Sequence, residues 1–165
     1  MPTHDGRPVH DEPLAFFLTW TTYGTWLPGD ERGWVAKPGQ FRASDPGREK
    51  SARIRMTEEP LHLDDEQRAI VEATIRRHCE IRGWYLHAIA CRTNHVHVVV
   101  TARVDPETIM DQFKAWCTRQ LKQNDARRQT GHFSRQNWWT QRGSKRFIND
   151  DVGLEGAIRY VLEGQ

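Results

Sequence analysis

Nowhere in this sequence do about 18 apolar residues follow one another, the length a membrane-crossing helix needs, so no membrane partner is expected. The opening, MPTHDGRPVHDEP, has neither the charged head nor the apolar stretch of a secretory signal, which points to a soluble, cytoplasmic protein. Cysteine is scarce. Cys79, Cys91 and Cys117 stand far apart with no C-x-x-C pair, a pattern that speaks against zinc or dithiol redox chemistry and for reduced core residues. Charge of one sign is also lacking: a net charge of +2 is too small to call for a nucleic-acid partner. Repeats and low-complexity segments are absent, and 165 residues suit one domain, 1–165, around a single core.

What is there is an alternation of strand and helix signals. LAFFLTWTTYG, residues 14–24, is aromatic and β-branched and reads as a first strand. Residues from about 24 to 62 then carry nine glycines and prolines, Gly24 included, a connection too long for filler; Trp26, Leu27, Trp34 and Phe41 give this insertion something to pack. LDDEQRAIVEATIRRHCEIRG predicts a helix, capped by Asp64 or Asp65 and stopped at Gly83. WYLHAIACR (84–92) and HVHVVVTA predict a hairpin turning at Thr93 and Asn94. A second helix starts at Pro106 behind Asp105, with the stripe Ile109, Phe113, Trp116, Cys117 and Leu121. A short strand is expected near Lys145 to Ile148, and a last helix from Asp150 or Asp151 with Leu154, Ala157, Ile158 and Val161 as its buried stripe. The order suits an α+β, ferredoxin-like sandwich: an antiparallel sheet with helices on one face and the other face open.

TNHVHVVV, residues 93–100, sets two histidines in a run of valines. Alternation sends Val96, Val98 and Val100 to the helices and His95, His97 and Val99 to the opposite face. Same-face residues two apart lie about 7 Å between α-carbons, close enough for two imidazoles to share one small ion. H-x-H also occurs by chance, so spacing alone leaves a structural role open. The third same-face place is Val99, which rules out a nucleotide hydrolase of the histidine-triad type.

TNHVHVVV resembles the HUH motif (histidine, bulky hydrophobic, histidine) of single-tyrosine transposases, the insertion-sequence and REP-associated enzymes that cut and join single-stranded DNA. The resemblance extends to the early strand, the Phe/Trp-containing helix, the basic NWW segment and the closing AIRYVLEGQ. It implies a DNA transposase on a ferredoxin-like palm: a single-strand endonuclease and strand-transferase acting on single-stranded or hairpin DNA through a covalent 5′-phosphotyrosine. It implies Tyr160 as nucleophile, His95 and His97 as ligands of Mg²⁺ or Mn²⁺, and an active site built within one subunit or shared across a homodimer. The chemistry asks for these types. A phosphodiester repels nucleophiles, and a cation beside it offsets developing charge; a phenol with a reference pKa near 10 costs about 4 kcal/mol to ionise at pH 7. A tyrosyl phosphodiester keeps the energy of the broken bond for rejoining.

Relatives commonly carry Gln or Asn four residues after the tyrosine, where this chain has Gly164. At 100° per residue, Glu163 falls 60° and Gln165 falls 140° from Tyr160, so geometry favours Glu163 as third metal ligand and residue type favours Gln165. Of the other tyrosines, Tyr23 and Tyr85 suit structural places at strand ends. Lys114 to Arg146 holds nine cations against the single anion Asp125, a local basic surface. Lys114, Lys122, Arg135, Arg142, Lys145 and Arg146 are the expected phosphate contacts, and Trp138, Trp139 or His132 the bases' stacking partners, with packing as the competing use of the tryptophans. The rival function is a domesticated, catalytically silent binder of single-stranded nucleic acid; a second rival is a metal-dependent phosphoesterase using water.

Overall fold

The computed structural model describes residues 12–36, 40–128 and 135–163. Four strands, β1 (Ala15–Thr21), β4 (Tyr85–Cys91), β5 (His95–Thr101) and β6 (Ser144–Ile148), form one antiparallel sheet in the order β4-β5-β1-β6. That is the ferredoxin-like order, with the first strand between the third and the fourth of the palm. Helix α2 (Asp65–Arg82) precedes the β4–β5 hairpin, α3 (Pro106–Arg128) follows it, and α4 (Asp151–Glu163) ends the described chain. The insertion folds into a hairpin of β2 (Trp34–Ala36) and β3 (Gln40–Arg42) followed by α1 (Pro46–Arg55). Among the described residues no helix is long and apolar enough to cross a membrane.

The helix boundaries follow from their caps. Asp64 accepts from the Gln67 backbone while the Gln67 side chain takes the Asp64 N–H, a capping box that selects Asp64 over Asp65. Gly83 ends α2 in the left-handed region at φ 72°, a conformation costly for any residue with a Cβ. Asp150 Oδ1 accepts from the Gly153 N–H at 2.6 Å and starts α4.

Strand alternation divides the sheet into two faces. Phe16, Leu18 and Trp20 of β1 and Val96, Val98 and Val100 of β5 join Val71, Ile75 and Cys79 of α2 and Ile109, Phe113, Cys117 and Leu121 of α3 in the main core. Each fully buried side chain of this size contributes about 1.5–3 kcal/mol, and together they make this the stabilising face. Trp116, expected in the same stripe, is 39% exposed and sits outside it.

The second face is not open, as the sequence led us to expect. Helix α4 crosses to it and buries Val161, with Leu154, Ala157 and Ile158 around it, against Ala15, Phe17, Ala88, Ala90, Val99 and Ile148. The reason is steric and hydrophobic: α4 carries an apolar stripe that must leave water, and the alanines of β1 and β4 let a helix approach. A register shift between Leu86 and Ala88 turns Ala88 and Ala90 toward this side. The paired helices α2 and α3 occupy one face, as expected; α4 roofs part of the histidine face.

Candidate active site

His95 and His97 lie on the face that α4 partly roofs. The His95 and His97 ring centroids are 4.7 Å apart. His97 is 7% exposed and directly opposite Thr19 across the β1–β5 ladder; Thr19 Oγ1 lies 2.8 Å from its Nδ1. His95 Nδ1 lies 2.8 Å from Asn94 Oδ1. Both rings thus engage the protein through Nδ1, and Nε2 is the nitrogen suited to ligation. Burial first, then the neighbouring His95 and Arg92, pushes the His97 pKa down to about 4, so the ring is neutral at physiological pH. Neutral imidazole is the ligating form, which fits a divalent cation. Among the described residues no third His, Cys, Asp or Glu joins the pair in a metal-binding group. Glu163 is exposed at the end of α4, and Gln165 lies outside the described residues.

Helix α4 brings Tyr160 to the same place. Its ring centroid is 5.6 Å from that of His97 and 5.9 Å from that of Phe17, and the side chain remains 48% exposed. A buried His and a solvent-accessible phenol therefore share one patch of one subunit. Tyr23 accepts a hydrogen bond from the Thr57 N–H through its hydroxyl, and Tyr85 lies against His87 at 4.6 Å, where the β4 bulge sits.

The basic residues divide. Arg146 of β6 stands opposite Phe17 in the β1–β6 register, exposed, its guanidinium 6.0 Å from the Phe17 ring centroid. Of the six cations singled out from sequence, it is the one carried on the histidine face of the sheet. Lys145, its neighbour, is opposite Leu18 and belongs to the helix-facing side. Lys114 Nζ donates to the carbonyls of Thr140 at 3.0 Å and Arg142 at 2.9 Å, and burial brings its pKa down to about 8, with Lys145 adding to the fall and Asp111 and Glu107 opposing it. Arg135 donates to the carbonyls of Asn137 and Glu59. Lys122 is half-buried on α3, and Arg142 is exposed in a loop at φ 73°. Trp138 is 3% exposed and donates to the Arg135 carbonyl, while Trp139 donates to Thr118 Oγ1 at 2.9 Å and meets Trp20 edge-on. Packing is thus the use the structure makes of both tryptophans. His132 lies outside the described residues.

Sequence reasoning passed over Thr19 and Phe17. A threonine alternating with apolar residues in the first strand is a signal, but its partner is set by a register that sequence does not display.

The sequence model of the family described as IS200-like transposases matches residues 55–161, more than half of the chain and all of the His95–His97–Tyr160 constellation. The chain belongs to the IS200-like transposase family. Its fold is similar to that of a REP-associated tyrosine transposase solved bound to a REP hairpin, with a TM-score of 0.55 and 13% identity over 98% of this chain and 70% of that one. It is also similar to a Deinococcus radiodurans R1 protein assigned as a candidate transposase, with a TM-score of 0.51 and 14% identity over 100% of this chain and 98% of that one. No curated protein matches the sequence. The matched span leaves out β1, which supplies Thr19 and Phe17, and the β2–β3 hairpin.

Proposed function

We propose that this protein cleaves and rejoins single-stranded or hairpin DNA, with Tyr160 as the nucleophile. The observation that carries the reading is the meeting of Tyr160 with His97 at 5.6 Å between ring centroids in one subunit. His95 and His97 would hold a Mg²⁺ or Mn²⁺ ion, whose chemical contribution is to polarise the scissile phosphate and offset its charge. Glu163 or Gln165 of the C-terminal segment would complete the protein's ligands.

The Tyr160 oxygen attacks phosphorus, the bond to the departing 3′ oxygen breaks, and that oxygen leaves as a hydroxyl once protonated. The enzyme is left joined to the 5′ phosphate. Attack of a 3′ hydroxyl on the tyrosyl phosphodiester reverses the exchange, so no external energy source is needed. Arg146, whose guanidinium is 6.0 Å from the Phe17 ring on the same sheet face, would supply a cation for the backbone phosphate. Phe17 and the α4 roof exclude water from one side of His97 and keep its ring in the neutral form that ligates a cation.

Incubation of a 3′-labelled single-stranded or hairpin oligonucleotide with Mn²⁺ should give a protein–DNA adduct on a denaturing gel, lost in Tyr160→Phe. An adduct persisting in that variant reassigns the nucleophile. Cleavage without any adduct identifies water as the attacking group, and salt-sensitive binding without cleavage identifies a catalytically silent binder.

A further inference from the structure

The histidine face of β1 presents Ala15, Phe17, Thr19 and Thr21 in turn, and the ladder sets Thr19 opposite His97 and Thr21 opposite His95. Directly opposed residues in an antiparallel pair have Cβ atoms about 4.5–5.5 Å apart, so a short hydroxyl side chain reaches the near nitrogen of a facing imidazole. The 2.8 Å approach of Thr19 Oγ1 to His97 Nδ1 is that contact. It is the ring's only hydrogen bond among the described residues. On its other sides His97 meets the rings of Phe17 at 5.5 Å, Tyr160 at 5.6 Å and His95 at 4.7 Å.

Ring contacts orient an imidazole plane but do not choose its tautomer. A neutral imidazole carries its proton on Nδ1 or Nε2, and only the other nitrogen has a lone pair to give. Strand geometry does not explain a hydroxyl here, because valine has the same branched shape and suits a strand equally well. What threonine adds is a hydroxyl at hydrogen-bond distance from Nδ1, able to accept from Nδ1–H or to donate to a bare Nδ1, and only the first leaves the lone pair on Nε2.

We propose that Thr19 is a positioning residue for the cation site: its hydroxyl accepts from the Nδ1–H of His97 and holds the ring in the tautomer whose lone pair is on Nε2. This rests on the reading of His95 and His97 as a divalent-cation pair. The role belongs to β1, and a one-residue slip of β1 against β5 removes it by turning Thr19 to the core face. Partners of this kind shift metal affinity by about 10- to 100-fold when removed.

Imidazole ¹⁵N–¹H correlation spectra of the full chain, stripped of metal with EDTA, read the tautomer directly. Wild-type His97 should show the Nδ1–H form; Thr19→Val should lose that preference and Thr19→Ser restore it. Manganese titration followed by electron paramagnetic resonance should show Thr19→Val binding about 10- to 100-fold more weakly, with Thr19→Ser close to wild type. An Nε2–H tautomer in the wild type, or a Thr19→Val protein keeping both tautomer and affinity, overturns the proposal. A wild type that binds no manganese overturns the cation reading instead, and the tautomer spectra still decide the part played by Thr19.

Discussion

Lowering the pH of the metal-free protein tests whether burial holds His97 neutral. The ring's ordinary pKa of 6.5 falls to about 4 in the folded chain. Between these values the unfolded chain binds a proton that the folded chain does not, so stability rises with pH across the window. The contribution is complete above about 6.5, declines as the pH drops below it, and is gone by about 4. At 1.36 kcal/mol per unit, the whole shift corresponds to about 3 kcal/mol, of which about 2 kcal/mol is lost by about pH 5. This is an upper value, because the repulsion from His95 and Arg92 acts at a wetter end of the site and is screened. The perturbation is therefore His97→Gln, which removes the titrating ring and leaves a polar side chain in its place. Urea unfolding followed by circular dichroism, in EDTA at about pH 7.5 and about pH 5, should show the wild type losing up to about 2 kcal/mol more than the variant. Equal losses in the two proteins refute the argument that His97 is desolvated by β1 and α4.

Gly143 comes so close to β1 that an added Cβ would stand 2.5 Å from the Thr19 carbonyl oxygen and 2.8 Å from Met110 Sδ; Gly143→Ala should cost about 1–3 kcal/mol in urea unfolding, because the backbone oxygen cannot swing aside. Lys114→Met should also destabilise by about 1–2 kcal/mol by leaving the part-buried Thr140 carbonyl without its donor, the exposed Arg142 carbonyl turning to water, with little change in the salt dependence of DNA binding. Arg146→Ala should do the reverse: stability near wild type, weaker binding to single-stranded oligonucleotides, and a salt slope reduced by about 1 in fluorescence-anisotropy titrations.

The contrast between Lys114 and Arg146 marks what composition could not tell. Both belong to the same run of basic residues, and a charge count treats them alike. One amine is drawn beneath the 140–142 loop, where carbonyls left over by an irregular connection need a donor. The other guanidinium stands on the sheet face because β6 pairs with β1 in the register that puts Arg146 opposite Phe17. Trp138 and Trp139 show the same limit: in sequence a tryptophan beside basic residues favours packing and leaves base stacking open, and the N–H partners decide for packing.

The sequence by itself determined the four strands of the sheet, helices α2, α3 and α4, and the apolar faces of β5 and α3; the hairpin and helix of the insertion and the side taken by α4 it did not. Valines at every second place of β5, the Ile109-Phe113-Cys117-Leu121 stripe, an aspartate cap at Asp64 or Asp65 and the stop at Gly83 are local signals, legible because periodicity and cap chemistry act over a few residues. It also singled out His95, His97 and Tyr160. Tertiary structure alone decided that α4 lies across the histidine face, that Tyr160 meets His97 within one subunit, and that Thr19 faces the His97 ring. Those facts depend on which strand pairs with which, and in what register, across long separations, 78 residues for Thr19 and His97. Such pairing is the joint outcome of burying two apolar faces at once, and no short window of sequence contains it.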